Sequence, residues 1–115
     1  MPQTIALALP LVPGKLEAWR AFRTELTGAR AEAYQGFMKR LGLSREQAFH
    51  QPTPEGDIAV LVIAGEDPGA MFGKLVGSTD PFDRWYVEQV TELHGMNRAI
   101  MQQVRPGTLV GDASA

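Results

Sequence analysis

The chain has no cysteine among its 115 residues. Disulfide bonds, thiolate metal sites and a cysteine nucleophile are therefore excluded. It also lacks an apolar run of the roughly 20 residues that cross a bilayer, and its N-terminus shows no secretory signal pattern. The sequence therefore predicts a cytoplasmic protein that has no membrane partner.

An excess of charge of one sign is also missing. Eleven Lys and Arg residues face thirteen Asp and Glu residues, which gives a net charge of −2, and the basic residues form no run. A nucleic-acid surface needs clustered basic side chains, so no nucleic-acid partner is expected. The partner classes that remain are a small molecule and another protein chain.

The spaced motifs of common catalytic and metal sites are absent as well. The two histidines, His50 and His94, form no HxH, HxxxH or HExxH pattern. A P-loop and a GxSxG serine are also missing. We expect no metal site and no tightly bound cofactor, although ligation of haem by either histidine stays open.

Length and hydrophobic periodicity predict one domain, residues 1–111, followed by a mobile tail, residues 112–115. Strands are expected at residues 4–11, 44–51 and 58–64, the last two joined by a turn at residues 54–57. A short final strand is expected at residues 108–110. One helical pattern runs from residue 16 to Gly28, and a second one follows it and ends at Gly42. Further helical patterns run from Asp67 to Gly77 and over residues 98–105.

The clearest element is a helix predicted between Asp80 and Gly95. Asp80 is a favourable N-cap, and Pro81 suits the first helical position. Asp83 adds negative charge near the positive end of the helix dipole, and Gly95 supplies a left-handed stop. Aromatic and aliphatic residues gather on one face of this helix, which predicts that it packs on an apolar surface.

The order of these elements predicts an α+β, ferredoxin-like split βαβ fold, with a four-stranded antiparallel sheet and helices on one face. The segments 4–11 and 58–64 are apolar at both parities, so the second sheet face also needs a cover. A second copy of the sheet is the economical cover, and we expect a homodimer. The alternative is that the alanines in these strands tolerate partial exposure.

Several segments resemble the dimeric α/β-barrel superfamily of ferredoxin-like proteins. They are PGKLEAWRAF after the first strand, QPTPEGDIAVLVI across the hairpin, and STDPFDRWYVEQVTELHG in the late helix. The later segments also resemble an uncharacterised bacterial branch with no assigned activity. The superfamily includes cofactor-free monooxygenases, haem-dependent enzymes, stress-responsive barrels and muconolactone-isomerase-like proteins, so the resemblance implies a barrel formed by two subunits rather than one activity.

Two kinds of candidate site residue follow. His50 and His94 are the candidate catalytic acid or base groups, although His94 also suits a helix C-terminus, where a charged imidazole is favoured, and His50 also suits an exposed edge strand. Aromatic side chains are the candidate ligand-binding wall, with ordinary core packing as the alternative. They are Trp19, Phe22, Tyr34, Phe37, Trp85 and Tyr86.

Three functional hypotheses remain open. The first is a homodimer that binds a small, largely apolar or aromatic molecule between sheet and helices. The second is a cofactor-free monooxygenase or isomerase that uses a histidine in its pocket. The third is a structural or regulatory dimer that takes no ligand.

Overall fold

The computed structural model describes residues 2–115, so Met1, the first residue of the predicted domain, lies outside the described residues. The fold is α+β, with a three-stranded antiparallel sheet in the order β1-β3-β2. The strands are β1 (Gln3–Pro10), β2 (Leu43–Thr53) and β3 (Gly56–Gly65). The helices are α1 (Leu16–Thr27), α2 (Ala31–Arg40), α3 (Met71–Gly77), α4 (Pro81–His94) and α5 (Arg98–Gln102), and a 3-10 turn at Pro68–Ala70 precedes α3.

The central strand β3 separates the two faces of the sheet. Ala59, Leu61 and Ile63 are buried beneath the helices. Val60 and Val62, which alternate with them, are half-buried on the opposite face, and we call this the open face. The helices therefore cover one side of the sheet, as the sequence predicts.

Helices α1 and α2 pack through residues at helical spacing. Trp19, Phe22 and Leu26 of α1 are buried, and so are Tyr34 and Phe37 of α2. Side chains three or four positions apart lie on one face of a helix, so each helix turns a single apolar stripe toward the core. Polar residues at one edge of these two stripes lie close to the start of β2.

Helix α4 has the boundaries that its sequence predicts. The Asp80 side chain accepts hydrogen bonds from the backbone N–H groups of Phe82 and Asp83, and Gly95 has a φ of 66°. Asp83 does more than add charge to the first turn. It is 2 % exposed and accepts a hydrogen bond of 2.6 Å from Arg40 Nη2, which joins α4 to α2.

The predicted fourth strand at residues 108–110 is wrong. The Gly107 N–H donates to the Ala6 carbonyl at 2.7 Å, so the chain does reach β1, but no strand ladder follows. Leu109 and Val110 are 76 % and 95 % exposed, so this segment buries little apolar surface. Little free energy is therefore gained to offset the conformational entropy that a chain end loses when it forms a strand. The helix predicted over residues 98–105 is also shorter and ends at Gln102.

None of the helices within residues 2–115 has the length and apolar character that crossing a membrane would need.

The open face of the sheet carries Phe49, which lies opposite Val60 and is 51 % exposed. Exposed large apolar side chains elsewhere include Ile100, Leu109 and Val110. Phe49 is thus an apolar side chain on a sheet face that the helices do not cover.

Candidate functional site

Glu46 lies on β2 with its side chain fully shielded from solvent. It is opposite Ile63 of β3, on the face that the helices cover. A bulge between Leu43 and Arg45 sets the alternation of β2 and so determines which side chains face the helices. A carboxylate in this position needs both hydrogen-bond donors and a compensating charge.

Three helices supply those donors. Arg23 of α1 donates through Nη1 to Glu46 Oε1 at 3.0 Å, and the Tyr34 hydroxyl of α2 donates to the same oxygen. The Tyr86 hydroxyl of α4 donates to Oε2 at 3.0 Å. We call these four residues the Glu46 cluster. One carboxylate on the sheet is thus bonded to three separate helices.

The electrostatics of the Glu46 cluster fix the roles of its members. Burial raises the pKa of the Tyr34 and Tyr86 phenols, and the neighbouring Glu46 carboxylate raises it further, so both phenols stay protonated and act as donors. Burial by itself lowers the pKa of Arg23, but the charge of the Glu46 carboxylate and its hydrogen bond act in the opposite direction, and the pKa is raised overall. Arg23 therefore stays charged, and the cluster carries one positive and one negative charge.

A cleft of about 210 Å³ lies beside the cluster, between α1, α2 and β2. Its wall combines polar and apolar side chains. They are Arg23, Leu26, Thr27, Tyr34, Glu46 and Ala48. The Glu46 side chain is itself out of reach of solvent, whereas the Arg23 side chain is 16 % exposed. A molecule in the cleft would therefore meet Arg23 first, with the carboxylate beneath it.

Arg23 has an unused donor. Its Nε is buried and has no hydrogen-bond partner within residues 2–115. A buried donor left without a partner costs about 1–3 kcal/mol. The guanidinium is therefore held by Glu46 at one nitrogen and left unsatisfied at another, beside a cleft.

The six predicted ligand-binding aromatics lie mainly in the core. Five are buried and Trp85 is half-buried. The Phe37 and Tyr86 rings stack with centroids 4.6 Å apart, and the Phe22 ring contacts Tyr86 at 5.4 Å and Trp85 at 5.5 Å. These rings pack on one another, as the core alternative expects. Tyr34 is the member of the set that lines the cleft.

His50 lies on the helix-facing side of β2, opposite Ala59, and does not line the Glu46 cleft. Its Nε2 is 2.7 Å from Asp57 Oδ1, and its Nδ1 is 3.5 Å from Arg20 Nη2. When Nε2 carries the proton, it donates to Asp57 while Nδ1 accepts from Arg20. This carboxylate partner is not evident from the sequence pattern, because Asp57 is seven positions away, across the hairpin.

His94 joins the end of α4 to the end of β1. Its Nδ1 donates to the Pro10 carbonyl at 3.0 Å. Burial lowers the pKa of His94, and the charge of Arg23 lowers it further, although the bond to Pro10 acts in the opposite direction. The imidazole is therefore held neutral, which is contrary to the charged cap expected from the helix dipole alone. The cleft of the Glu46 cluster does not include His94.

Sequence reasoning named Tyr34 and Tyr86 but missed Arg23 and Glu46. A buried tyrosine generally needs a partner for its hydroxyl, so two tyrosines on apolar helix faces were a usable signal for a buried acceptor. The segment REQAFHQ, in contrast, has too few apolar residues to show which parity faces the helices. The bulge at the start of β2 adds a shift of one residue that alternation cannot reveal.

The sequence matches no model of a known protein family, and no curated protein shows significant similarity to it. Within residues 2–115, no group of three or more His, Asp or Glu side chains is placed to hold a metal ion. The geometry of the site is therefore what supports a function for this protein.

Proposed function

We propose that the protein binds a small organic molecule in the cleft of the Glu46 cluster. The observation that carries this proposal is Arg23, a charged guanidinium that lines the cleft and whose buried Nε lacks a partner. A core of similar volume built from apolar residues is often as stable as one that contains a buried ion pair. A buried Arg–Glu pair beside a cleft is therefore better explained by binding than by stability.

The cleft sets the size and character of the ligand. A volume of about 210 Å³ lies below the roughly 300–1,000 Å³ of pockets that hold drug-sized ligands, which suits a molecule of one ring. Leu26 and Ala48 offer an apolar wall, and Arg23 and Thr27 offer polar groups. We therefore propose a ligand with an apolar body and one polar end, rather than a flat molecule held among the core aromatics.

Protein-observed NMR with a library of single-ring compounds tests this proposal. We expect binders to shift the backbone amide signals of residues that line the cleft. Ala48→Leu places a larger side chain in the wall and should weaken binding at least about tenfold, which corresponds to about 1.4 kcal/mol. The matched control is Ala21→Leu, which makes the same change at an exposed position of α1.

Two results would contradict the proposal. One is a library in which no compound shifts the signals of the cleft. The other is a binder whose affinity is unchanged by Ala48→Leu, since that binder would occupy another part of the surface.

A homodimer is a second and compatible proposal, and the open face favours it. Val60 and Val62 are half-buried there and Phe49 is 51 % exposed. The same face also carries the charge of Arg45, which lies opposite Ala64 at the start of β2. Two such faces packed together, in the manner of a dimeric α/β barrel, would remove their apolar side chains from water.

A further inference from the structure

We infer that the ligand of the Glu46 cleft is an uncharged molecule with a carbonyl-type oxygen, such as a carboxamide, that accepts a hydrogen bond from Arg23. This inference rests on the proposed function and adds the chemical class of the ligand. It follows from the charge balance of the cluster and from the donors that the cluster leaves unused.

The charge balance argues against an ionic ligand. Arg23 and Glu46 form an ion pair at 3.0 Å, and both tyrosines are neutral donors. The Arg23 and Glu46 side chains are 16 % and 0 % exposed, so water screens additional charge poorly. An anion beside Arg23 would place two negative charges around one guanidinium, and a cation would meet Arg23 directly.

The hydrogen-bonding balance specifies the polar group. Arg23 carries five N–H donors, of which Nη1 donates to Glu46 and Nε has no partner among residues 2–115. The Glu46 carboxylate lies out of solvent reach and so acts on a ligand through its charge rather than by contact. The Arg23 side chain, in contrast, is 16 % exposed and lines the cleft, so an oxygen acceptor that enters the cleft can accept a hydrogen bond from the guanidinium without adding charge.

Three ligands of matched shape test this inference on the unaltered protein. Benzamide, benzoate and benzamidinium share a planar single ring and differ in charge at neutral pH. We expect benzamide to shift the signals of the cleft and to bind at least about tenfold more tightly than either ion. Equal or tighter binding of benzoate or benzamidinium in the cleft would overturn the inference and leave the proposed function standing.

If none of the three ligands, nor any compound of the wider library, binds in the cleft, the proposed function fails and the inference fails with it. If other compounds bind there and benzamide does not, the inference alone is overturned. All of these outcomes are measured on the unaltered protein, so the test does not depend on whether a variant folds.

A charge change in the cluster provides a second test. Glu46→Gln removes the negative charge beneath Arg23 and should move the preference from benzamide to benzoate. The control is Glu88→Gln at an exposed position of α4, which should leave the preference unchanged. A folded Glu46→Gln protein that keeps the preference for benzamide over benzoate would overturn the argument from charge balance.

Discussion

His94 binds a proton less readily in the folded protein than in the unfolded chain, because burial lowers its pKa. The folded state therefore binds fewer protons than the unfolded state once the pH falls below the unfolded value, which is about 6.5 for histidine. The contribution of neutral His94 is complete above that pH and is lost progressively below it. For one group the slope cannot exceed about 1.4 kcal/mol per pH unit.

His94→Gln isolates this effect, because an amide N–H can still donate to the Pro10 carbonyl but does not titrate near neutral pH. We expect the unaltered protein to lose more free energy of unfolding than His94→Gln between about pH 7.5 and pH 5.5, by no more than the limit of about 1.4 kcal/mol per pH unit. Urea unfolding at both pH values measures the difference. Identical pH dependence in the two proteins would show that His94 is not held neutral.

The Glu46 cluster shows what sequence can say about single residues. Tyr34 and Tyr86 follow from helical periodicity, because each lies on an apolar face with a hydroxyl that needs a partner. Glu46 and Arg23 do not follow, because one lies after a strand bulge and the other at the edge of an amphipathic helix, where charged residues are usual. Their pairing is a tertiary contact across 23 positions of sequence.

At the scale of elements, the ion pair between Arg40 and Asp83 joins α2 to α4. Arg40 donates to both Asp83 oxygens, at 2.6 Å and 3.3 Å, and the Ser78 hydroxyl donates to Asp83 at 2.7 Å. Arg40→Met would leave the buried Asp83 carboxylate without its counter-charge. We expect the free energy of unfolding to fall by about 2–3 kcal/mol, as measured by urea denaturation.

Lys15→Met is the matched control for this change. Lys15 pairs with Glu92 at 3.1 Å, but the two side chains are 35 % and 64 % exposed. Exposed pairs contribute about 0–1 kcal/mol, so the control should be nearly neutral. Comparable losses in the two variants would mean that the Arg40–Asp83 pair acts as an ordinary surface pair.

The elements also differ in how well sequence predicts them. Helix α4 has local signals at both ends, and its predicted N-cap Asp80 and stop Gly95 are confirmed. The three strands of the sheet are confirmed because β3 is strongly apolar and turn residues bound the hairpin. The segment at residues 108–110 has strand-forming residues but no buried face, and strand propensity without packing did not make a strand.

At the scale of the whole molecule, the proposed homodimer predicts a response to charge on the open face. Val62 lies between Ala6 and Gln47 on neighbouring strands, at the centre of that face. Val62→Lys would bring lysines to the interface of the two copies. We expect it to raise the dissociation constant of the dimer at least about tenfold, as measured by analytical ultracentrifugation.

Ala18→Lys at an exposed position of α1 adds the same charge away from the open face and should leave the dimer intact. A monomeric unaltered protein at micromolar concentration would contradict the dimer proposal outright. A monomer would also mean that the open face, with its half-buried valines, is stable in contact with water. That is the alternative in which the alanines of these strands tolerate partial exposure.

The single carboxylate of Glu46 is a common point on the sheet to which three helices are hydrogen-bonded. Helices α1, α2 and α4 each place one donor on it, from Arg23, Tyr34 and Tyr86. A rotation of that carboxylate would strain or break all three contacts together. A substitution of Glu46 would therefore remove one contact from each of the three helices at once.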